Sequence, residues 1–448
     1  MRASTLFMLV VFLCTGCALN AYNNIKLSKV KTNENIKATH VVENRKGSNE
    51  NALVILALSG GGSRAAYFSS LVMLSLDKLD LLKEVDVISS VSGGSLPAAY
   101  YAISKDPINS TAGDRVWEEE TVKSVMSKNY TLRWFGNWFW PTNIAKYWFT
   151  AYNRSDIMAQ TFADNLFDNK ISGVDFKFND INPDRPDIIL NATNGTTGEF
   201  SNLFTFTRED FNRINSDLGE YDISMAVMAS ACFPSVFNYI NLRNFSEKEK
   251  YIHVFDGGNS DNLGLLSVFW VLDNAKEKYS KIILILVDSF IESGGVSDVV
   301  PDGRQLFDYV IDSNFMDSLD SLLSRNRESL VEDMINYFNY LHTNVKNKVI
   351  FYHIKFNNVK EFEKNPDSDE KLYQKVNSIK TDFKISNADQ FSLEKVTELF
   401  IKNENICLQK IKNILSDDKT ADSSDIYCTW PSLSEDKKHI DHASGKKK

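Results

Sequence analysis

The clearest signal along the chain is a series of short aliphatic segments, each closed by small or polar residues and followed by a stretch with helical spacing. Leu53 to Leu58 has the unbroken apolar character of a strand buried on both faces, Ser59 to Arg64 is a glycine-rich turn, and Ala65 to Leu79 has helical periodicity. Val85 to Ser90 is a second β-rich segment, and Ser92-Gly93-Gly94 leads into an apolar helix through about Ile103. Strand, loop and helix, repeated in that order, predict a parallel sheet covered by helices. Strand character returns at Asp187 to Ala192, Leu203 to Thr207, Tyr251 to Phe255, Lys281 to Val287 and Lys348 to Phe356, with a turn at Asn194 to Gly198. Met225 to Phe237 is apolar and broken by Pro234; helices are predicted over about Leu263 to Lys278, much of Phe307 to Phe338, and Ser392 to Leu415. No internal repeat is visible.

Residues 105–185 break the rhythm. They hold Trp134-Phe135-Gly136-Asn137-Trp138-Phe139-Trp140-Pro141 and Tyr147-Trp148-Phe149, and they read as a helical insertion packed on the main core. A lipid-facing or substrate-groove surface is the alternative, because amphipathic aromatics favour a bilayer interface.

The first residues read as a processing segment. Arg2 precedes an apolar run from Leu6 to Leu13 and then Cys14-Thr15-Gly16-Cys17. Small residues ahead of a cysteine resemble the cleavage box of a bacterial lipoprotein, although Cys14 stands where such boxes usually carry Leu and Leu13 lies one place further out. The expectation is a signal peptide over 1–16, lipidation of Cys17, and an Asn/Lys-rich membrane tether over 17–50. That would place the protein, lipid-anchored, in a bacterial cell envelope, at the outer membrane if the organism has one. The main folded body is expected over 51–415 and a polar, mobile tail over 416–448.

Composition changes this picture little: 448 residues, 43% hydrophobic and 24% charged, are globular, and a net charge of -9 argues against a nucleic-acid partner. Export permits disulfides. Cys407 and Cys428 flank a polar segment and are either a C-terminal staple or two free thiols, whereas Cys232, in an apolar stretch, reads as a buried free thiol.

Candidate chemistry centres on Ser92. A sharp strand-to-helix turn lifts a serine above the sheet edge and aims the first helical N–H groups at developing negative charge. Ser90-Val91-Ser92-Gly93-Gly94 has that organisation, with Ser90 where a glycine is usual; Ser95, one turn into the helix, is the less exposed competitor. Gly60-Gly61-Gly62-Ser63-Arg64 opens the preceding helix and reads as an anion-holding nest, an oxyanion hole in an ester hydrolase. It lacks the Lys-Ser/Thr ending of a nucleotide phosphate loop. Arg64 is assigned to loop support, with a lipid phosphate as its alternative partner. Of six histidines, His40 falls in the tether, His439 and His442 in the tail, His353 inside a strand and His342 near a helix end. His253 is the best histidine base, but Asp256, at a strand end before Gly257-Gly258, is the better candidate to receive the Ser92 proton directly. No His/Cys/carboxylate cluster suited to a metal accompanies these motifs, and no cofactor is expected.

In this order and context the motifs resemble those of the patatin-like phospholipases, particularly bacterial lipoprotein members. The resemblance rests on Gly60 to Arg64, Ser90 to Gly94, Ala229-Ser230-Ala231-Cys232-Phe233-Pro234, Asp256-Gly257-Gly258 and Asn259-Ser260-Asp261-Asn262-Leu263-Gly264. It covers residues 51 to 290 clearly and continues more weakly to about 415. It implies a three-layer α/β/α fold with a mainly parallel central sheet, Ser92 as nucleophile, Asp256 as the sole catalytic carboxylate, and phospholipid or lysophospholipid acyl esters as substrates. Neutral-lipid or small-ester hydrolysis, acyl transfer, and a weakly active lipid-binding or envelope-assembly protein are the alternatives.

Overall fold

In a computed structural model, the described residues are 21–42, 49, 51–196, 202–234, 236–291, 313–362, 372–416 and 426–431, with side chains of the long helix described from 326 onward. Nine strands form the main sheet: β1 Ala52–Leu58, β2 Val87–Val91, β3 Asp187–Asn194, β4 Leu203–Phe206, β5 Ile240–Asn244, β6 Lys250–Asp256, β7 Lys281–Asp288, β8 Lys348–Lys355 and β9 Tyr427–Cys428. From β9 the order runs β8, β7, β1, β2, β3, with every pairing parallel. Antiparallel pairing appears only at the far side, where β4 and β6 pair with β3, and β5 with β6.

Strand alternation splits the interior into two cores. Val54, Leu56, Leu58, Ile283 and Ile285 point to one face and pack with the helices Gly62–Lys78, Ser95–Ile103, Asn387–Phe400 and Ile406–Leu415. Leu53, Ile55, Ala57, Ile282 and Leu284 point to the other, against Leu265–Ala275 and Ser313–Tyr340. Every residue of β1 and of β7 is therefore buried, which is why both read as unbroken aliphatic runs. Three layers, α/β/α, result as expected.

Four expectations change. The segment read as a tether is docked on the body over 21–42: Ile25–Lys26 pairs with Ser216–Asp217, Asn24 donates to Ser216 Oγ and the Arg243 carbonyl, and His40 bonds Thr205. Its polar side chains find buried partners that only the fold supplies, so polarity alone misread it. The terminal helix is two helices, Asn387–Phe400 and Ile406–Leu415, because Asn405 caps the second through the Cys407 and Leu408 N–H groups while its amide donates to the Phe400 carbonyl. The expected tail is interrupted: Tyr427–Cys428 adds an edge strand to β8, and Cys428 is disulfide-bonded to Cys407. The helix expected over Phe307 to Phe338 is described from Ser313 and runs past Phe338 to Tyr340; residues 307–312 lie outside the described set. Cys17, residues 1–16 and His439 and His442 also lie outside it.

The insertion is helical, with Glu119–Met126, Tyr130–Trp138, Pro141–Phe149 and Arg154–Phe162 in succession. Trp117, Tyr130, Trp134 and Phe162 join the first core. No helix among the described residues is long and apolar enough to cross a membrane.

Candidate active site

One edge of β3 assembles the site. Val91, the last residue of β2, pairs with Asn191, and Asp256, the last residue of β6, pairs with the next position, Ala192. Since β4 pairs with residues 190–193 and overlaps both partners, it must occupy the opposite edge, so β2 and β6 meet end to end on the same one. Residues 164 apart in sequence thus become neighbours, and Ser92 Oγ donates to Asp256 Oδ2 at 2.9 Å.

The elbow is sharp because Ser92 takes a left-handed backbone conformation, φ +50°, between extended Val91 and a single tight turn over Ser92–Gly94. A non-glycine residue there costs about 1–2 kcal/mol, which the surroundings must offset. They do so through hydroxyls: the Ser92 N–H donates to Ser230 Oγ at 2.9 Å, Ser230 Oγ donates to the Asn191 carbonyl at 2.6 Å, and Ser95 links Ser230 to Ser90 at 3.0 and 3.1 Å. Ser90 has an ordinary strand backbone and a buried, bonded side chain, so no glycine is needed at that position. Ser95 is spent in the same chain of hydroxyls. Gly93 is required for another reason: a Cβ there would lie 2.1 Å from the carbonyl oxygen of Gly62. Elbow and glycine loop touch backbone to backbone.

Asp256 is buried, and its Oδ1 accepts from the Gly258 N–H at 2.8 Å. Burial pushes its carboxyl up to about 6, against the opposing pull of the Gly258 and Ser92 hydrogen bonds. A carboxylate of that basicity is well matched to taking a proton near neutral pH. His253 is exposed and bonds Asn241; three positions from Asp256 in a strand, it points to the opposite face. His353 is buried in a separate network, with Nε2 3.0 Å from Asp288. Burial depresses His353 to about 4, while Asp288, which burial alone would raise, is held below the carboxylate range by Arg327 and His353. His40 and His342 lie in other settings, bonded to Thr205 and to the Asn347 carbonyl.

The glycine loop is partly committed to its own architecture. Gly60 N–H donates to the Asn262 carbonyl at 2.9 Å and Ser63 N–H to the Asp382 carbonyl at 2.7 Å. Of the four residues expected to hold an oxyanion, Gly60 and Ser63 are therefore corrected to scaffold. Gly61 and Gly62 keep positive φ, and Gly61 lines the cleft beside Ser92. Arg64 is buried and braces the loop: Nε donates to the Ser289 carbonyl at 2.9 Å and Nη1 to the Ile379 carbonyl at 2.5 Å. Around Ser92 and Asp256 the cleft is lined by Phe233, Phe290 and Ile291 together with the polar Asn259, Asn262 and Thr381. Phe290 lies under the Arg327 guanidinium, 4.6 Å away, and Arg327 in turn bonds Asp288.

Sequence reading missed Ser230, Asn262 and Asp382. The first two sit inside quoted motifs, but their contacts are to backbone far along the chain; Asp382 carried no motif at all. Cys232 is a free, buried thiol whose carbonyl accepts from Asp256 N–H. Among the described residues, no group of three or more His, Cys, Asp or Glu side chains is arranged to hold a metal.

Residues 56–269 match the family described as patatin-like phospholipase. No curated protein matches the chain. Similar solved structures include human GIVD cytosolic phospholipase A2 (13% identity, 53% of this chain, 43% of that one, TM-score 0.34). VipD from Legionella pneumophila is another (12% identity, 55% and 52%, TM-score 0.25). A third is the complex of SpcU with ExoU from the type III secretion system of Pseudomonas aeruginosa (14% identity, 64% and 53%, TM-score 0.26). The chain spans about half the length of these structures.

Proposed function

We propose that this chain, whose residues 56–269 match the patatin-like phospholipase family, is a lipid-ester hydrolase in which Ser92 and Asp256 hydrolyse the acyl esters of membrane phospholipids or lysophospholipids. The observation that carries this reading is the 2.9 Å hydrogen bond from Ser92 Oγ to Asp256 Oδ2, in a cleft lined in part by Phe233, Phe290 and Ile291. A carboxylate in direct contact with the serine makes a histidine unnecessary, and Phe233, Phe290 and Ile291 offer an acyl chain apolar contact.

As Ser92 Oγ attacks the ester carbonyl, its proton passes to Asp256 Oδ2. The new C–O bond turns the carbonyl oxygen into an oxyanion, which the Gly61 and Gly62 N–H groups stabilise; losing one such donor typically costs about 3 to 4 kcal/mol. Collapse of the intermediate breaks the bond to the alcohol, and Asp256 returns its proton to that leaving oxygen. Asp256 then takes a proton from water as the water attacks the acyl-enzyme, and gives it back to Ser92 Oγ when the fatty acid departs. The same loop serves both halves.

Lipidation of Cys17 would hold this activity at an envelope membrane, and incorporation of labelled palmitate in the producing cell, lost in Cys17→Ser, tests it. For the chemistry, a serine-directed phosphonate is expected to label the wild type and not Ser92→Ala. Lipid-product mass spectrometry on mixed phospholipids is expected to find free fatty acid with the wild type and none with Asp256→Asn. Turnover of neutral esters with phospholipids untouched would overturn the substrate assignment, and unlabelled, inactive wild type would overturn the enzyme mechanism.

A further inference from the structure

The helical hairpin over residues 130–149 is apolar on both of its faces. Tyr130, Trp134 and Asn143 point inward and are buried. On the outward side, Leu132 (68% exposed), Phe139 (71%), Trp140 (61%), Trp148 (74%) and Phe149 (68%) stand in water. Of the seven tryptophans only Trp140 and Trp148 are exposed, and both belong to this element, whereas exposed aliphatics such as Val30, Ile108 and Ile171 lie elsewhere. The hairpin is also stiff: Pro141 starts its second helix, and buried Asn143 donates to the Asn137 carbonyl and to Gln160 Oε1, both at 2.9 Å.

Charge on the hairpin itself favours one occupant. Residues 127–155 contain Lys128, Arg133, Lys146 and Arg154 and no Asp or Glu, in a chain of net charge -9, with carboxylates such as Asp156 and Asp164 lying on the helix and turn that follow. Arg133 and Lys146 are exposed on the two helices that carry the aromatics. A second copy packed symmetrically on this face would set those cations against themselves. Anionic lipid headgroups complement them, and tryptophan and phenylalanine are the residues that settle at the headgroup–acyl boundary.

The hairpin is joined to the cleft. Tyr130 N–H donates to the Phe383 carbonyl, and Thr131 Oγ1 to Asp382 Oδ1 at 3.1 Å. The carbonyl of Asp382 is the group that receives the Ser63 N–H, and neighbouring Thr381 lines the cleft. We propose that residues 130–149 are a bilayer-docking element that seats the cleft on an anionic phospholipid surface. This rests on the reading that the substrate is a membrane lipid, and the experiment separates the two.

The full chain carrying Cys17→Ser, so that no acyl anchor contributes, is mixed with vesicles of phosphatidylcholine alone or with phosphatidylglycerol added. Binding is expected to rise with the anionic lipid, and brominated phosphatidylcholine is expected to quench tryptophan fluorescence. In Trp140→Ala/Trp148→Ala/Phe149→Ala the vesicle partition should fall at least about tenfold while turnover of a soluble short-chain ester stays within about twofold. Arg133→Glu/Lys146→Glu should lose the preference for anionic vesicles. Unquenched wild-type fluorescence, or a triple variant that partitions like wild type, overturns the proposal. So does self-association that the triple variant abolishes without any vesicle binding. Vesicle binding with no hydrolysis of any ester would support docking and overturn the hydrolase reading alone.

Discussion

Ser92 occupies a backbone conformation that its side chain disfavours, at φ +50°. Removing the hydroxyl and removing the strain are separable. Ser92→Ala and Ser92→Gly should both abolish turnover, but Ser92→Gly should be the more stable by about 1 kcal/mol, measured by urea unfolding. Asp256 gives the complementary prediction. As the proposed base it must be ionised, so turnover should rise with pH through about 6 and then level off. Its folded-state pKa is raised above the unfolded value, so the proton is held more tightly in the native state. Ionised Asp256 therefore destabilises the fold at pH above about 6, by up to roughly 3 kcal/mol, and the penalty fades as pH falls from 6 towards 4. Asp256→Asn should be inactive yet melt higher than wild type at pH 8, with the difference vanishing near pH 4.

Among the elements, the contact between the glycine loop and the elbow is the least forgiving. Gly93→Ala would drive a methyl into the Gly62 carbonyl, and turnover is expected to fall about 10²-fold or more, with a loss of about 2 kcal/mol in stability by chemical denaturation. Ser92, Asp256 and this loop were legible in sequence because strand–turn–helix context is local and their glycines are conspicuous. Ser230 and Asp382 were not, since a hydroxyl 138 residues from the N–H it accepts, or a carbonyl more than 300 residues from Ser63, leaves no trace in local pattern. That the Gly60 and Ser63 N–H groups are committed to the Asn262 and Asp382 carbonyls was illegible for the same reason. β5, Ile-Asn-Leu-Arg-Asn, escaped because a short alternating edge strand offers too few apolar positions, and the antiparallel arm it belongs to went unread with it.

Across the whole molecule, residues 21–42 and 426–431 are folded onto the body where polarity suggested a tether and a tail. The Cys407–Cys428 bridge ties the edge strand β9 to the helix Ile406–Leu415 across 21 residues. Closing a loop of that length stabilises by about 3 kcal/mol in the chain-entropy account. Cys407→Ser should lower the denaturation midpoint accordingly while leaving kcat near wild type, because the bridge lies at the sheet edge remote in strand order from β3. The meeting of β2 and β6 on one edge of β3 has a temporal consequence. The proposed nucleophile and base lie on different strands, joined only when contacts spanning more than 160 residues have formed, among the slowest to appear. On the proposed mechanism a newly made or unfolded chain is inert towards the lipids it passes, and phosphonate labelling of Ser92 should double as a clock for the final closure of the sheet.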